Sequence, residues 1–195
     1  SCYEMFKGNT DMIEPPEMDT SNVTNMYYMH DGNRNLVRGG NYNTINVTNM
    51  MDMHNNNTNL VECGNYDTRN VTDMTAMHYN NISLVNGGNY NTSKVTNFSN
   101  MYNRCKKLKN VPVYQADSAT SIGTIFSYCD ELENFGGFIN LGKAYTRTSA
   151  NYSSYRLYLS YSTKLTHESL MNIINNLYDL NLTYDALLIQ CSKAE

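Results

Sequence analysis

Four consecutive segments of this chain repeat one pattern, and that repeat limits the possible folds more than any other feature. Read from each valine they run VTNMYYMHDGNRNLVRGGNYNTIN, VTNMMDMHNNNTNLVECGNYDTRN, VTDMTAMHYNNISLVNGGNYNTSK and VTNFSNMYNRCKKLKNVPVYQADS. The valines are Val23, Val47, Val71 and Val95, a period of 24 residues without drift. A unit this short cannot bury its apolar residues alone. Stacked on its neighbours at ~4.8 Å, it contributes one layer to a continuous core. A period in the range of roughly 20–29 residues is the signature of leucine-rich repeats. The expected fold is therefore an α/β solenoid, a leucine-rich-repeat-like right-handed coil with 24-residue rungs.

Aligning the rungs turns the sequence into columns. Leu36, Leu60, Leu84, Leu108 and Leu132 form one. Met5, Met29, Met53, Met77, Met101 and Ile125 form a second, and Cys2, Met26, Met50, Met74, Phe98 and Ile122 a third. Met18, Tyr42, Tyr66, Tyr90, Tyr114 and Phe138 make an aromatic column. The register extends back through Phe6 and Met12, so the N-terminus reads as a partial rung already in phase. The expected organisation is 1–142 as about six rungs and 143–195 as a C-terminal strand–helix repeat or cap.

Within a rung, the residues from each leucine to the Gly/Pro step predict a short parallel strand. Val-Thr-Asn-Met-x-x-Met spaces its apolar residues at i, i+3 and i+6, which predicts a single helical or 3-10 turn. Thr20, Thr44, Thr68 and Thr92 stand where they could cap that turn. The Asn-rich corners suit tight bends, because Asn tolerates left-handed dihedrals. Beyond Gly142 the pattern changes. Residues 155–161 alternate and predict one more strand, and Thr166 reads as the cap of a helix over 167–179. Leu170, Ile173, Ile174 and Leu177 mark that helix's apolar face, and Leu180, Leu182 and Leu187–Ile189 follow. The array is expected to end in this longer strand–helix rung.

Composition narrows the function classes. Charged residues are 16% of the chain and the net charge is −4, which leaves no electrostatic footprint for nucleic acid. Arg104, Lys106, Lys107 and Lys109 form the one basic cluster and read as a solvated face. No apolar run is long enough for membrane insertion. The chain opens at Ser1 with no signal-like hydrophobic segment, which reads as a processed protein or an excised fragment. The 17 tyrosines and abundant asparagines instead predict a neutral surface of amides and hydroxyls.

No set of residues reads as an active site, so the chain is expected not to be an enzyme and to need no cofactor. His30, His54 and His78 share a column and could form a metal ladder. The same column holds Phe6, Tyr102 and Phe126, however, so packing is the favoured reading. The 5 cysteines contain no C-x-x-C pair. Cys105 and Cys129 share a column with Asn33, Asn57 and Asn81; adjacent rungs leave both a disulfide and two buried thiols open. Asn-x-Ser/Thr sequons at Asn22, Asn46, Asn70, Asn81, Asn91, Asn97, Asn151 and Asn181 arise from composition in an Asn/Thr-rich repeat. Glycine pairs such as Gly39-Gly40 lack the strand–loop–helix context of a phosphate loop.

The tract KVTNFSNMYNRCKKLKNVPV at 94–113, with DMIEPPEMDTSNVTNM before it, resembles the BspA-like leucine-rich repeat family. The middle rungs depart from that pattern: His replaces the aromatic, Asn the cysteine, and Gly-Gly the apolar-Pro step. The segment from GGFINLG to NLTYD resembles the C-terminal part of such proteins from gut bacteria and their phages, whereas ALLIQCSKAE does not match it. The resemblance implies extracellular, cell-surface or virion-associated display, as an adhesin or a receptor-binding or tail-associated protein. Its expected partner is a protein or a cell-surface glycan. The positions that vary between rungs are the expected binding residues: Tyr27, Tyr28, Met51, Asp52, Thr75, Ala76, Ser99 and Asn100. A structural spacer within a larger surface or tail protein is the alternative.

Overall fold

The computed structural model describes residues 1–144, 157–159, 161–176 and 189–191. Its regular elements are short: β1 (Asn110–Val111), β2 (Tyr114–Gln115), β3 (Asn134–Phe135), β4 (Phe138–Ile139), β5 (Leu157–Leu159), α1 (His167–Asn175) and β6 (Ile189–Cys191). All pairing is parallel. β1 pairs with β3 through Asn110↔Asn134, and β2 with β4 through Tyr114↔Phe138. Earlier rungs join by single parallel bridges at the same offset, one set running Asn25↔Asn49, Asn49↔Asp73, Asp73↔Asn97 and Asn97↔Ser121. The period of the sequence is thus the register of the backbone hydrogen bonds. β5 pairs with β6 through Leu157↔Ile189, a longer step than the one between the rungs before it.

The interior is the column set. Val47, Met50, Met53 and Leu60 are fully buried, and so are Val71, Met74, Met77 and Leu84 in the next rung. Each such side chain contributes roughly 1.5–3 kcal/mol, less its ordering entropy. At the first rung the columns open. Cys2 is buried, but Met5 is 50% exposed, and Phe6 and Met18 are only half-buried against the core.

The segment expected to form a helical or 3-10 turn does something else. Among the described residues it is a run of reverse turns, with Met29 N–H donating to Met26 O (3.2 Å) and Asp31 N–H to Tyr28 O (3.2 Å). The alternate amides point along the stack: Met26, Tyr28 and His30 donate to Asn49, Met51 and Met53 carbonyls of the next rung at 3.0, 3.2 and 2.9 Å. A helix would direct these donors into its own axis and leave the neighbouring rung unpaired. To alternate them, the backbone takes positive φ at Tyr28, Asp52, Ala76, Asn100 and Thr124. A second left-handed column follows at Gly32, Asn56, Asn80, Arg104 and Tyr128. Such dihedrals cost a non-glycine residue roughly 1–2 kcal/mol, offset here by hydrogen bonding between rungs.

The threonines do not cap helices either. Thr20, Thr44, Thr68 and Thr92 are buried, and their hydroxyls donate to carbonyls of the following rung, Asn43, Asp67, Asn91 and Gln115, at 2.9–3.0 Å. The one described helix is capped as expected, with Thr166 Oγ1 accepting from Ser169 N–H at 3.2 Å. It spans His167–Asn175 and packs against β3, burying Ser169 and Ile173, whereas Ile174 is 54% exposed. Leu177, Leu180, Leu182, Leu187 and Leu188, and the sequons at Asn151 and Asn181, lie outside the described residues.

Candidate binding face

The eight expected binding residues fall on one strip of the stack, at the first left-handed column and the position before it. They are less open than expected. Asp52 and Ala76 are buried, at 6% and 9% exposure, and Tyr27, Tyr28, Met51, Thr75, Ser99 and Asn100 are half-buried. Turns stacked one strand spacing apart cover much of each other. The second left-handed column and its preceding position widen the strip with Asp31, Asn55, Asn56, Tyr79, Asn80, Asn103, Arg104, Ser127 and Tyr128.

Aromatic rings mark both ends of this turn face. Tyr3, Tyr27 and Tyr28 cluster with ring centroids 5.5 and 4.1 Å apart, and Lys7 Nζ lies 4.0 Å above the Tyr28 ring. Lys7 also pairs with Glu4 at 2.7 Å and Asp31 at 3.6 Å. At the other end Tyr128 stacks on Tyr161 at 4.2 Å, with the Arg104 guanidinium 5.2 Å from its ring. Between them runs a polar tract. Asn55 donates to Asp52 Oδ1 at 2.6 Å, Asn103 to Asn100 Oδ1 at 2.8 Å, and Thr124 to the same Asn100 oxygen at 2.7 Å. Burial pushes the Asp52 carboxyl up to about 6, and raises Asp31 against the pull of Lys7.

This face also holds buried acceptor oxygens that no described protein group meets. Four buried side-chain oxygens lack a protein partner among the described residues: Asn55 Oδ1, Thr75 Oγ1, Asn103 Oδ1 and Ser162 Oγ. Three of these four lie on the turn face. A buried oxygen left unpaired costs ~1–3 kcal/mol, so these positions present acceptors for water or a partner to meet.

The other candidates resolve into packing. His30, His54 and His78 stack face to face, with centroids 5.2 and 5.6 Å apart, and their ring nitrogens meet tyrosine hydroxyls and asparagine amides. Cys105 and Cys129 are free, buried thiols that donate to the carbonyls of His78 and Tyr102, both at 3.0 Å. The sequon amides of Asn46 and Asn70 are engaged between rungs, donating to Ser21 O (2.8 Å) and Ile45 O (2.9 Å).

A groove of about 570 Å³ lies on the Gly-Gly side. Glu14, Glu17, Arg38, Asn41, Glu62 and Cys63 line it, and Arg38 bridges Glu14 and Glu62 at 3.2 and 3.1 Å. The available signal was Glu, Arg and Glu recurring in one column. Cys63 Sγ lies 3.6 Å from His78 Nε2, the spacing of a nucleophile and its base. Burial argues against that role, because it pushes the thiol up to about 12 and holds His78 down to about 3. Both groups stay neutral, and a thiolate–imidazolium pair does not form.

Comparison with protein families matches residues 1–110 and again 55–149 to the family described as "Mycoplasma protein of unknown function, DUF285". The chain belongs to this family. Comparisons with curated proteins and with solved structures return no match. Among the described residues no helix is long and apolar enough to cross a membrane.

Proposed function

We propose that the chain is a non-enzymatic binding module, a leucine-rich-repeat-like right-handed solenoid of the BspA-like kind, displayed at the cell surface or on a virion. It recognises a protein or a cell-surface glycan through the turn face. One observation carries this reading: the strip where rungs differ most in sequence also holds three of the four unpartnered buried oxygens. The tyrosines at its ends add large contact area with few rotatable bonds, and the intervening amides and hydroxyls suit adaptable hydrogen bonding, as in antibody paratopes. The spacer alternative draws support from the invariant columns, where every rung repeats the same bonds to the next.

Binding of labelled, monodisperse protein to intact bacteria and mucin-coated surfaces tests the proposal. The informative variant is Tyr27→Ser with Tyr28→Asn, which copies the Ser99–Asn100 pair of a later rung and suits the left-handed turn. Saturable binding that weakens at least tenfold in this folded variant supports the turn face. Saturable binding unaffected by the change moves the site elsewhere, and no binding to any surface favours the spacer.

A further inference from the structure

Three rungs share a polar relay buried in the core. His30 Nε2 meets Tyr42 Oη at 3.0 Å, His54 Nε2 meets Tyr66 Oη at 2.7 Å, and His78 Nε2 meets Tyr90 Oη at 2.9 Å. On the opposite edge, each Nδ1 faces an amide nitrogen: Asn33 at 3.3 Å, Asn57 at 3.5 Å and Asn81 at 3.4 Å. These amides are not free to turn around. The Oδ1 of Asn33, Asn57 and Asn81 accepts the backbone N–H of Asn9, Asn33 and Asn57 in the preceding rung, at 2.8, 2.8 and 2.9 Å. With the amide oxygen held in that way, the NH2 group must face Nδ1. Nδ1 is then the acceptor, the ring proton lies on Nε2, and it is donated to tyrosine. Tyr66 passes its own proton on to the carbonyl of Gly39.

A second proton on any of these rings would have to sit on Nδ1, against a donor that cannot rotate away. It would also place like charges in rings that stack at 5.2 and 5.6 Å with planes 1° apart. We propose that this Asn–His–Tyr stack is an acid-release device, a core that is satisfied only while its three imidazoles are neutral and that comes apart when they are protonated. Among the described residues the neighbours offer no counter-charge. The titratable groups packed on the rings are the phenols of Tyr42, Tyr66, Tyr90 and Tyr102 and the thiol of Cys63, all raised by burial. Asp31 and Asp52 lie on the outer turns of the first two of these rungs, and Lys7 on the turn of the rung before them.

Burial holds His30 down to about 4 and His78 down to about 3, with His54 also well below the ordinary value of 6.5. At these three imidazoles the unfolded chain therefore takes up protons from 6.5 downward while the folded chain does not. Stability is full above that range and falls as the pH drops toward 4. Asp31 and Asp52, whose carboxyls are raised, act in the opposite direction and soften the transition without reversing it, being two against three. Tyr27–Tyr28, Met51–Asp52 and Thr75–Ala76 precede the three imidazoles by two or three residues. Acid thus dismantles the same rungs that carry the turn face.

The later rungs show how to remove the device. Tyr102, Cys105 and Tyr114 occupy the His, Asn and Tyr columns, and Tyr102 Oη bonds Tyr114 Oη at 2.7 Å. His78→Tyr with Asn81→Cys extends that arrangement back by one rung, and adding His54→Tyr with Asn57→Cys extends it by two. Acid titration of the full chain, followed by near-ultraviolet tyrosine dichroism, should show a wild-type transition between pH 6.5 and about 4. Each replaced rung should lower its midpoint and reduce proton uptake by about one. Folded variants with an unchanged midpoint would overturn the proposal. Should a variant fail to fold, imidazole 15N spectra of the wild type decide. Nε2-protonated rings that stay neutral until the fold is lost support the device; rings that titrate near 6.5 in the intact fold refute it.

Discussion

Asp52 shows how much of this molecule is settled one residue at a time. It sits at the tip of a left-handed turn with φ +52°, nearly buried, with Asn55 as its hydrogen-bond donor. Its carboxyl is raised to about 6 by burial, so at neutral pH the folded state holds a charge it would be more stable without. Asp52→Asn keeps the acceptor oxygen and a residue type that tolerates the turn. It is expected to stabilise the protein at pH 7 by about 1 kcal/mol once solvent screening is allowed for. That gain should shrink as the pH falls below about 6, where the folded wild type becomes protonated. Urea unfolding of both proteins at pH 7.5 and pH 5.5 is the check, and an equal difference at the two values would contradict the assignment. Nothing in the sequence marked Asp52 as buried. It stands in a variable column between rungs carrying Tyr28 and Ala76, and a left-handed tip can be recognised only when Gly or Asn occupies it.

At the scale of the element, the unit is a turn or strand of two or three residues that has no stability alone. The Gly-Gly step illustrates the coupling. A Cβ on Gly88 would overlap the Tyr90 ring, and one on Gly64 would meet both the Tyr66 ring and the Gly40 carbonyl. These glycines make room for the tyrosine two residues on to lie under its own strand. Tyr102 accepts the Gly88 N–H at 3.1 Å, and Tyr114 donates to the Gly88 carbonyl at 2.9 Å. Gly88→Ala is therefore expected to cost about 2–4 kcal/mol, comparable to overpacking plus a lost buried hydrogen bond. Thermal or denaturant unfolding measures it, and a change below about 0.5 kcal/mol, the usual range for surface sites, would contradict the packing argument. In the sequence these glycines read only as the step that ends a strand, because the residue that requires them is placed there by the tertiary stack.

For the whole molecule, stability accrues rung by rung, since each rung touches mainly its neighbours. Hydrogen bonds between rungs join residues 23 to 25 apart, as in the Thr24–Thr48–Thr72–Thr96–Thr120 series, where each hydroxyl donates to the preceding threonine carbonyl at 3.0–3.2 Å. Deletion of residues 47–70, one whole rung, brings matching columns together and should leave a cooperatively folding, less stable protein. Deletion of half that length, residues 47–58, sets polar columns against apolar ones and should abolish folding. Circular dichroism and thermal melts of the two variants distinguish the cases; equal behaviour would mean that column register does not hold the array together.

The period, the identity of the core columns and the Thr166-capped helix were all legible in the chain alone, because each follows from spacing. A residue recurring every 24 positions meets its own kind whatever the local backbone does, so Leu36 finds Leu60 and His30 finds His54. What the tertiary structure decided was where the backbone hydrogen bonds go. Spacing at i, i+3 and i+6 suits a helical turn and a chain of reverse turns equally well. The choice fell to the neighbouring rung, whose carbonyls require alternate amides to point along the stack. From that choice follow the left-handed tips, the half-buried turn strip, the inward threonines and the locked asparagine amides, none of which any single rung specifies by itself.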